Sequence, residues 1–175
     1  MTVRTGLRKA ALMVHIAVSV GWLGAVAASL ALAGFAVAAE DPRSVSAAYV
    51  VLEPLGWLLL VPLSIASLFT GVAQSLITVW GLVRHYWVLI KLLLNVLAVA
   101  VLLLYMQTLG ALADTALAMT AGGSQIVPGF SPVIHTVGAM ALLFVALALS
   151  VYKPRGLTPA GYRNRRAVPG SRVAR

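Results

Sequence analysis

Four apolar runs separated by short polar breaks dominate the chain. Residues 10–39 contain no charged side chain, residues 54–80 contain none, and further runs occupy about 86–109 and 132–152. At about 1.5 Å per residue, each can cross a hydrocarbon layer roughly 30 Å thick. No alternation of period two competes with these runs, so the pattern predicts an all-α transmembrane protein, a four-helix membrane bundle. The first run is 30 residues long, whereas the apolar core of a secretory signal is about 7–15. Despite the small-residue stretch Ala36-Val37-Ala38, it therefore reads as a retained span, tilted or reaching into an interface.

The breaks carry the polar signals. Glu40-Asp41-Pro42-Arg43 ends the first helix, and the weakly amphipathic stretch 44–53 lies at an interface or extends the second span. Pro54 suits a first helical turn. Pro62 falls inside the second span, where it frees a carbonyl and should kink the helix. The second break, Trp80 to Lys91, is the only place between residues 54 and 110 where charge appears. The third connection, Gly110 to Ser131, has one acid and no base. Within it, Leu112, Ala116, Leu117 and Thr120 suggest a short surface helix before Gly122-Gly123. Ser131-Pro132 is a fitting N-cap and first-turn pair for the fourth span.

Small residues recur on two of the spans. Ala17, Gly21, Ala25 and Ser29 stand every fourth position in the first, and Ser64, Ser67, Gly71 and Ser75 follow at spacings of three and four in the second. Such rows let helix backbones approach closely in lipid, which makes the first two spans the expected close-packed pair.

Composition changes the picture only by confirming its class. The 175 residues are 61% hydrophobic and 10% charged, against about 25% charged in soluble domains. The net charge of +9 would suggest nucleic acid in a soluble protein; its distribution points elsewhere. Of 13 Lys and Arg, 12 lie before residue 10, at Arg84 and Lys91, or after residue 152, while Glu40, Asp41, Glu53 and Asp114 all fall in the other connections. The positive-inside rule then places both termini in the cytoplasm of a bacterial inner membrane. Residues 1–152 form the membrane domain. Residues 153–175, with seven Lys and Arg and no acid, are too polar to fold alone and suit anionic lipids rather than nucleic acid.

Candidate chemistry is sparse. The chain has no cysteine, no Gly-rich phosphate loop, no H-E-x-x-H and no G-x-S-x-G, so the common soluble-enzyme signatures are missing. Paired intramembrane carboxylates are absent too, which argues against a proton-relay transporter. Arg84, Lys91 and Asn95, at i, i+7 and i+11, would share one helix face, and so would His15, Ser19 and Trp22. Both faces belong to the cytoplasmic half. Lys91 either snorkels to headgroups or anchors an anion. His15, on a small apolar span, is a candidate ligand for a cofactor or metal, whereas His85 between Arg84 and Tyr86 reads as an interfacial belt residue. Met106, Gln107, Met119, His135 and Met140 would be the makings of a soft outer copper site.

These motifs bear a resemblance. His15-x6-Trp22-Leu23-Gly24 resembles the opening helix of bacterial copper-resistance D-type membrane proteins. Trp87-x3-Lys91-Leu92 resembles the Trp/Lys helix of the small membrane-bound protoporphyrinogen oxidases, in which a first-helix His and this Lys belong to a haem-associated site. In that enzyme pattern a histidine stands late in the third span, where this chain has Tyr105-Met106-Gln107. The whole chain, with Trp-Gly-Leu-x-Arg-His-Tyr-Trp and the Tyr-Lys-Pro-Arg-Gly exit, looks like an uncharacterised four-span bacterial integral-membrane family. The expectation is a non-catalytic binding or accessory membrane protein with a cationic inner-leaflet pocket, partnered by the lipid bilayer and by a membrane protein or a second copy. The alternative is a haem b- or copper-binding protein using His15 with Lys91 and Arg84. An enzyme of porphyrin oxidation follows by analogy alone.

Overall fold

The computed structural model describes residues 5–78, 82–122, 128–154, 156–159 and 162. Trp80, most of the third connection's end and residues 163–175 lie outside them. The described chain is helical, with four helices long and apolar enough to cross a membrane. Helix α1 is Thr5–Ala38. The second span is a single 36-residue rod made of α2 (Pro42–Leu55), a π-helical turn (Gly56–Leu60) and α3 (Val61–Ile77). Helix α4 is Tyr86–Gly122 and α5 is Ser131–Tyr152. The all-α four-helix bundle expected from the pattern is the fold observed.

The second span starts twelve residues earlier than the first-turn reading of Pro54 implied. Asp41 is its cap: the carboxylate accepts from the Arg43 and Ser44 backbone N–H groups at 3.3 and 3.2 Å and from the Ser44 hydroxyl at 3.0 Å. Pro42 then occupies the first turn, where its missing N–H costs nothing. Pro54 therefore sits inside the helix. The disturbance expected at Pro62 is taken up just before it, where the Val61 N–H reaches back five residues to the Gly56 carbonyl. Widening one turn to π spacing accommodates a carbonyl that has lost its proline-side donor.

Helix α4 also outruns its expected end at Leu109, and Gly110 does not break it. A Cβ at Gly110 would lie 3.5 Å from Glu53 Oε1. That is ordinary contact distance: α4 simply runs on through Gly110 beside α2. Ser46 donates to the Ala116 carbonyl at 2.9 Å, drawing the two helices together where the surface helix was expected. Ser131 opens α5 without capping it; its hydroxyl instead pairs with the Tyr105 hydroxyl at 3.3 Å.

Consequently α1, the second span and α4 each run about 50–55 Å, well beyond a hydrocarbon core. At the end far from the termini they enclose a packed apolar cluster including Ala33, Ala36, Val45, Tyr49, Leu52, Met106 and Leu109. The Tyr49 hydroxyl clamps this end by accepting from the Gly129 N–H at 2.8 Å. Nearer the termini, α1, α3, α4 and α5 form a ring in which each helix packs against its two neighbours, while the backbones of the diagonal pairs α1/α4 and α3/α5 stay apart. The expected pairing of the first two spans is seen there: Gly21 faces Leu63, and the Ser19 and Ser67 hydroxyls meet at 3.0 Å.

Candidate functional site

A ring of four helices leaves a central space unless large side chains fill it. Halfway along the bundle Trp22 does so, 3% exposed and packed with Val26, Leu60, Leu102, Met140 and Leu143. Between Trp22 and the termini the four helices leave a cavity of about 780 Å³, lined by polar side chains and by large apolar ones such as Leu68, Trp87 and Leu92. Most of its lining is apolar, which suits an organic ligand with a hydrocarbon part.

The polar lining comes from all four helices. His15 extends from α1 against Gly71 of α3, where an added Cβ would stand 3.2 Å from its Cε1. The glycine gives the imidazole its seat. His15 Nδ1 meets Thr70 Oγ1 at 2.9 Å, and that hydroxyl donates its hydrogen to the Ala66 carbonyl at 2.7 Å. A hydroxyl has one hydrogen, and with it turned to Ala66 the geometry favours Thr70 as acceptor of an Nδ1–H, the tautomer that leaves the lone pair on Nε2. Across the ring, Lys91 of α4 donates to the Ser150 hydroxyl of α5 at 2.8 Å, and Ser150 donates onward to the Ala146 carbonyl at 3.0 Å. Ser150 is the one hydrogen-bond partner of Lys91 among the described residues.

Of the residues proposed from sequence, His15, Trp22, Lys91 and Asn95 all line this cavity. Arg84 does not. The shared face with Lys91 presumes a helix running through residue 84, and α4 begins at Tyr86. Arg84 sits in the preceding turn, its carbonyl accepting from the Thr158 N–H at 3.1 Å. The segment after α5 is likewise not wholly separate from the bundle: Leu157 forms a bridge with His85, and Thr158 Oγ1 donates to the Val83 carbonyl at 2.5 Å. This clasp follows Lys153, which turns the chain with a left-handed backbone (φ 43°) and lines the cavity mouth together with Arg8 and Lys9.

Sequence reasoning missed one lining residue, Gln74, and the role of Thr70 as hydrogen-bond partner of His15. Gln74 Oε1 is buried and meets no donor among the described residues. Asn95, 6% exposed, makes no side-chain hydrogen bond among them either. In a low-dielectric interior such groups are costly unless something polar reaches them. Among the described residues lining the cavity there are four cations, Arg8, Lys9, Lys91 and Lys153, and no Asp or Glu.

The fit of the expected cofactors differs. For haem, His15 offers one axial nitrogen and the cations could face carboxylates. His85 lies in the turn, and His135 stacks on Tyr105 at the far end with ring centroids 3.8 Å apart, so no second histidine joins it. For copper the residues do not fit: no cluster of three or more His, Cys, Asp or Glu occurs among the described residues. The soft-ligand set is dispersed, with Met106 against Gly56 and Met140 in the cluster around Trp22. In comparisons with known proteins, no family model, no curated protein and no solved structure matched the chain.

Proposed function

We propose that this chain is a non-catalytic binding protein of the bacterial cytoplasmic membrane that holds an anionic amphiphile in the cavity between its helices. The termini face the cytoplasm in this reading, on the strength of the Lys and Arg distribution, and residues 153–175 rest on anionic lipid. One observation carries the proposal: the Lys91 ammonium lies within a span, beside an apolar cavity, with a single neutral hydroxyl as partner. An ammonium in that setting gains more from an anion than a surface lysine does, because little water competes. A headgroup anion meets Lys91 while apolar chains lie against Leu12, Ile16 and Leu147.

Native mass spectrometry of the detergent-purified chain, titrated with phosphatidylglycerol and phosphatidylcholine, tests this. The expected result is saturable binding of the anionic lipid, weakened by Lys91→Met at least tenfold, as for loss of a charge-assisted contact of about 1.5–3 kcal/mol. Equal binding of both lipids by the wild-type chain would refute it. Orientation is checked separately by a reporter that fluoresces only in the cytoplasm, fused after Arg175; a dark fusion would reverse the topology.

His15 supports a second reading, in which Nε2 ligates haem b and Lys91 pairs with a propionate. The distant likeness to haem-associated membrane enzymes belongs with it. Added haem should then give a Soret band that His15→Ala abolishes; a wild-type chain that stays colourless with haem present would exclude it.

A further inference from the structure

The cavity is divided by hydrogen-bonding role as well as by polarity. On the α1/α3 wall nearly every hydroxyl hydrogen is already committed. Thr70 donates to the Ala66 carbonyl, Ser75 donates to the Gly71 carbonyl at 2.9 Å, and Ser19 and Ser67 pair with one another. Thr70 and Ser75 still offer oxygen lone pairs, and the Ser19–Ser67 pair keeps one hydroxyl hydrogen between them. His15 adds a second kind of acceptor, Nε2, in the tautomer that the bond from Thr70 to Ala66 favours. Gln74 adds a third, its buried Oε1 with no donor among the described residues. The facing α4/α5 wall has the opposite character. Lys91 has three N–H groups, of which Ser150 takes one.

A ligand that satisfies both walls must bring an anion to one and hydrogen-bond donors to the other. We infer that the cavity selects an anionic phospholipid whose head carries hydroxyl groups, its phosphate on Lys91 and its hydroxyls donating to His15 Nε2 and Gln74 Oε1. A quaternary ammonium head supplies no donor, and a phosphate capped by a methyl group supplies charge alone. The inference rests on the anionic-amphiphile reading and sharpens it: it concerns the α1/α3 wall, whereas that reading concerns Lys91. The discriminating power comes from the missing donor. An analogue lacking the hydroxyl leaves Gln74 Oε1 buried and unpaired and gives His15 Nε2 no donor, which is worse than losing an exposed hydrogen bond.

The test compares two lipids of equal charge on the full chain, again by native mass spectrometry in detergent: dioleoyl phosphatidylglycerol and dioleoyl phosphatidylmethanol, which lacks the head hydroxyls. Phosphatidylglycerol should bind the wild-type chain about tenfold more tightly, the worth of one to two buried hydrogen bonds. That ratio should fall toward one in Gln74→Leu and in His15→Phe, while phosphatidylmethanol binding changes little. Gln74→Leu keeps the side-chain bulk, so the acceptor is tested even where His15→Phe disturbs α1. A wild-type ratio near one, with both lipids bound saturably, would overturn the selection by hydroxyl and leave the anionic reading standing. Saturable binding of neither lipid would overturn both. Displacement of bound lipid by soluble glycerol 3-phosphate, at the concentration at which phosphatidylglycerol itself competes, would assign the cavity to a free phosphate and overturn the lipid.

Discussion

Gly56 of the second span receives the Met106 side chain of α4, and replacing it with alanine gives a sharp test of the packing. A Cβ there would stand 2.6 Å from Met106 Sδ and 2.7 Å from Met106 Cε. Ordinary contacts between such atoms begin about 1 Å farther out. Met106 is flexible in itself, but it is 1% exposed and sits in the far cluster beside Leu109 and Tyr105. It has no open space to swing into, so helices or neighbours must shift. Overpacking of this kind costs about 1–3 kcal/mol, and alanine's helix propensity returns up to about 1 kcal/mol. With that return of about 1 kcal/mol, the expected net loss is about 0–2 kcal/mol. Met106→Ala alone should cost about 2–5 kcal/mol through the cavity it leaves. In the double variant, the new methyl enters the space that the methionine vacated, so the two losses should fall short of additive by about 1–3 kcal/mol. Equilibrium unfolding in mixed SDS and detergent micelles, followed by circular dichroism, measures all three. A Gly56→Ala chain as stable as wild type, with strictly additive losses in the double variant, would refute this account of the helix contact.

Three further outcomes are expected. In ¹⁵N spectra of histidine-labelled protein, two wild-type imidazoles should show Nδ1–H, His15 and also His135, whose Nδ1 lies 2.8 Å from the Ser131 carbonyl; Thr70→Val, which removes the acceptor of His15, should shift the His15 signal alone toward the commoner Nε2–H form, and an unchanged spectrum would show that Thr70 does not set the tautomer. The Asp41 carboxyl is held below the usual range by the Arg43 N–H and then by the Ser44 hydroxyl, so its cap is present above about pH 4 and lost as pH falls through the lowered value in the folded chain. Amide exchange at residues 43–45, corrected for intrinsic rate, should therefore accelerate in acid in the wild-type chain and not in Asp41→Asn, which caps without titrating. Finally, Thr158→Val removes the hydroxyl donor to Val83 and should speed proteolysis between Lys153 and Arg163 severalfold, with no change in cuts elsewhere; equal rates would mean that the backbone contact alone holds the clasp.

The spans were legible because lipid leaves a long apolar run few alternatives to a helix. Their ends were less so. Gly110 and Pro54 read as punctuation by local preference, yet the observed helices pass through both, Gly110 because α4 packs on along α2 and Pro54 because Asp41-Pro42 had already begun the helix. At the site, spacing correctly put His15 with Trp22 and Lys91 with Asn95, since each pair lies on one helix. It did not carry over to Arg84, which lies in the turn before α4 begins at Tyr86, so no helix face joins it to Lys91. Thr70 and Gln74 were hidden for a different reason. Their roles depend on which helices are neighbours around the ring, and spacing within one helix says nothing about that. The row Ser64, Ser67, Gly71 and Ser75 did announce a close helix contact, and Gly71 proves to seat His15 as well as to admit a backbone.

The two ends of the bundle have divided labour. The far end is closed by Tyr49, Met106 and Leu109 among small residues, with Tyr105 stacked on His135 beside it. The end near the termini instead surrounds unpaired acceptors and a lysine with one partner. A uniformly packed bundle could not hold such a cavity without closing on it, because filling the space with larger apolar side chains would gain contact on both walls. Long α2 and the long end of α4 supply packing beyond the membrane crossing, which lets the ring remain open where the polar groups lie. Changes at the two ends should then separate in effect. Gly56→Ala should lower unfolding stability and leave lipid affinity near wild type, whereas Lys91→Met should lower affinity and leave stability unchanged or improved, since it removes a poorly paired charge from a span. Parallel losses of both properties in either variant would show instead that the cavity and the far core form a single cooperative unit.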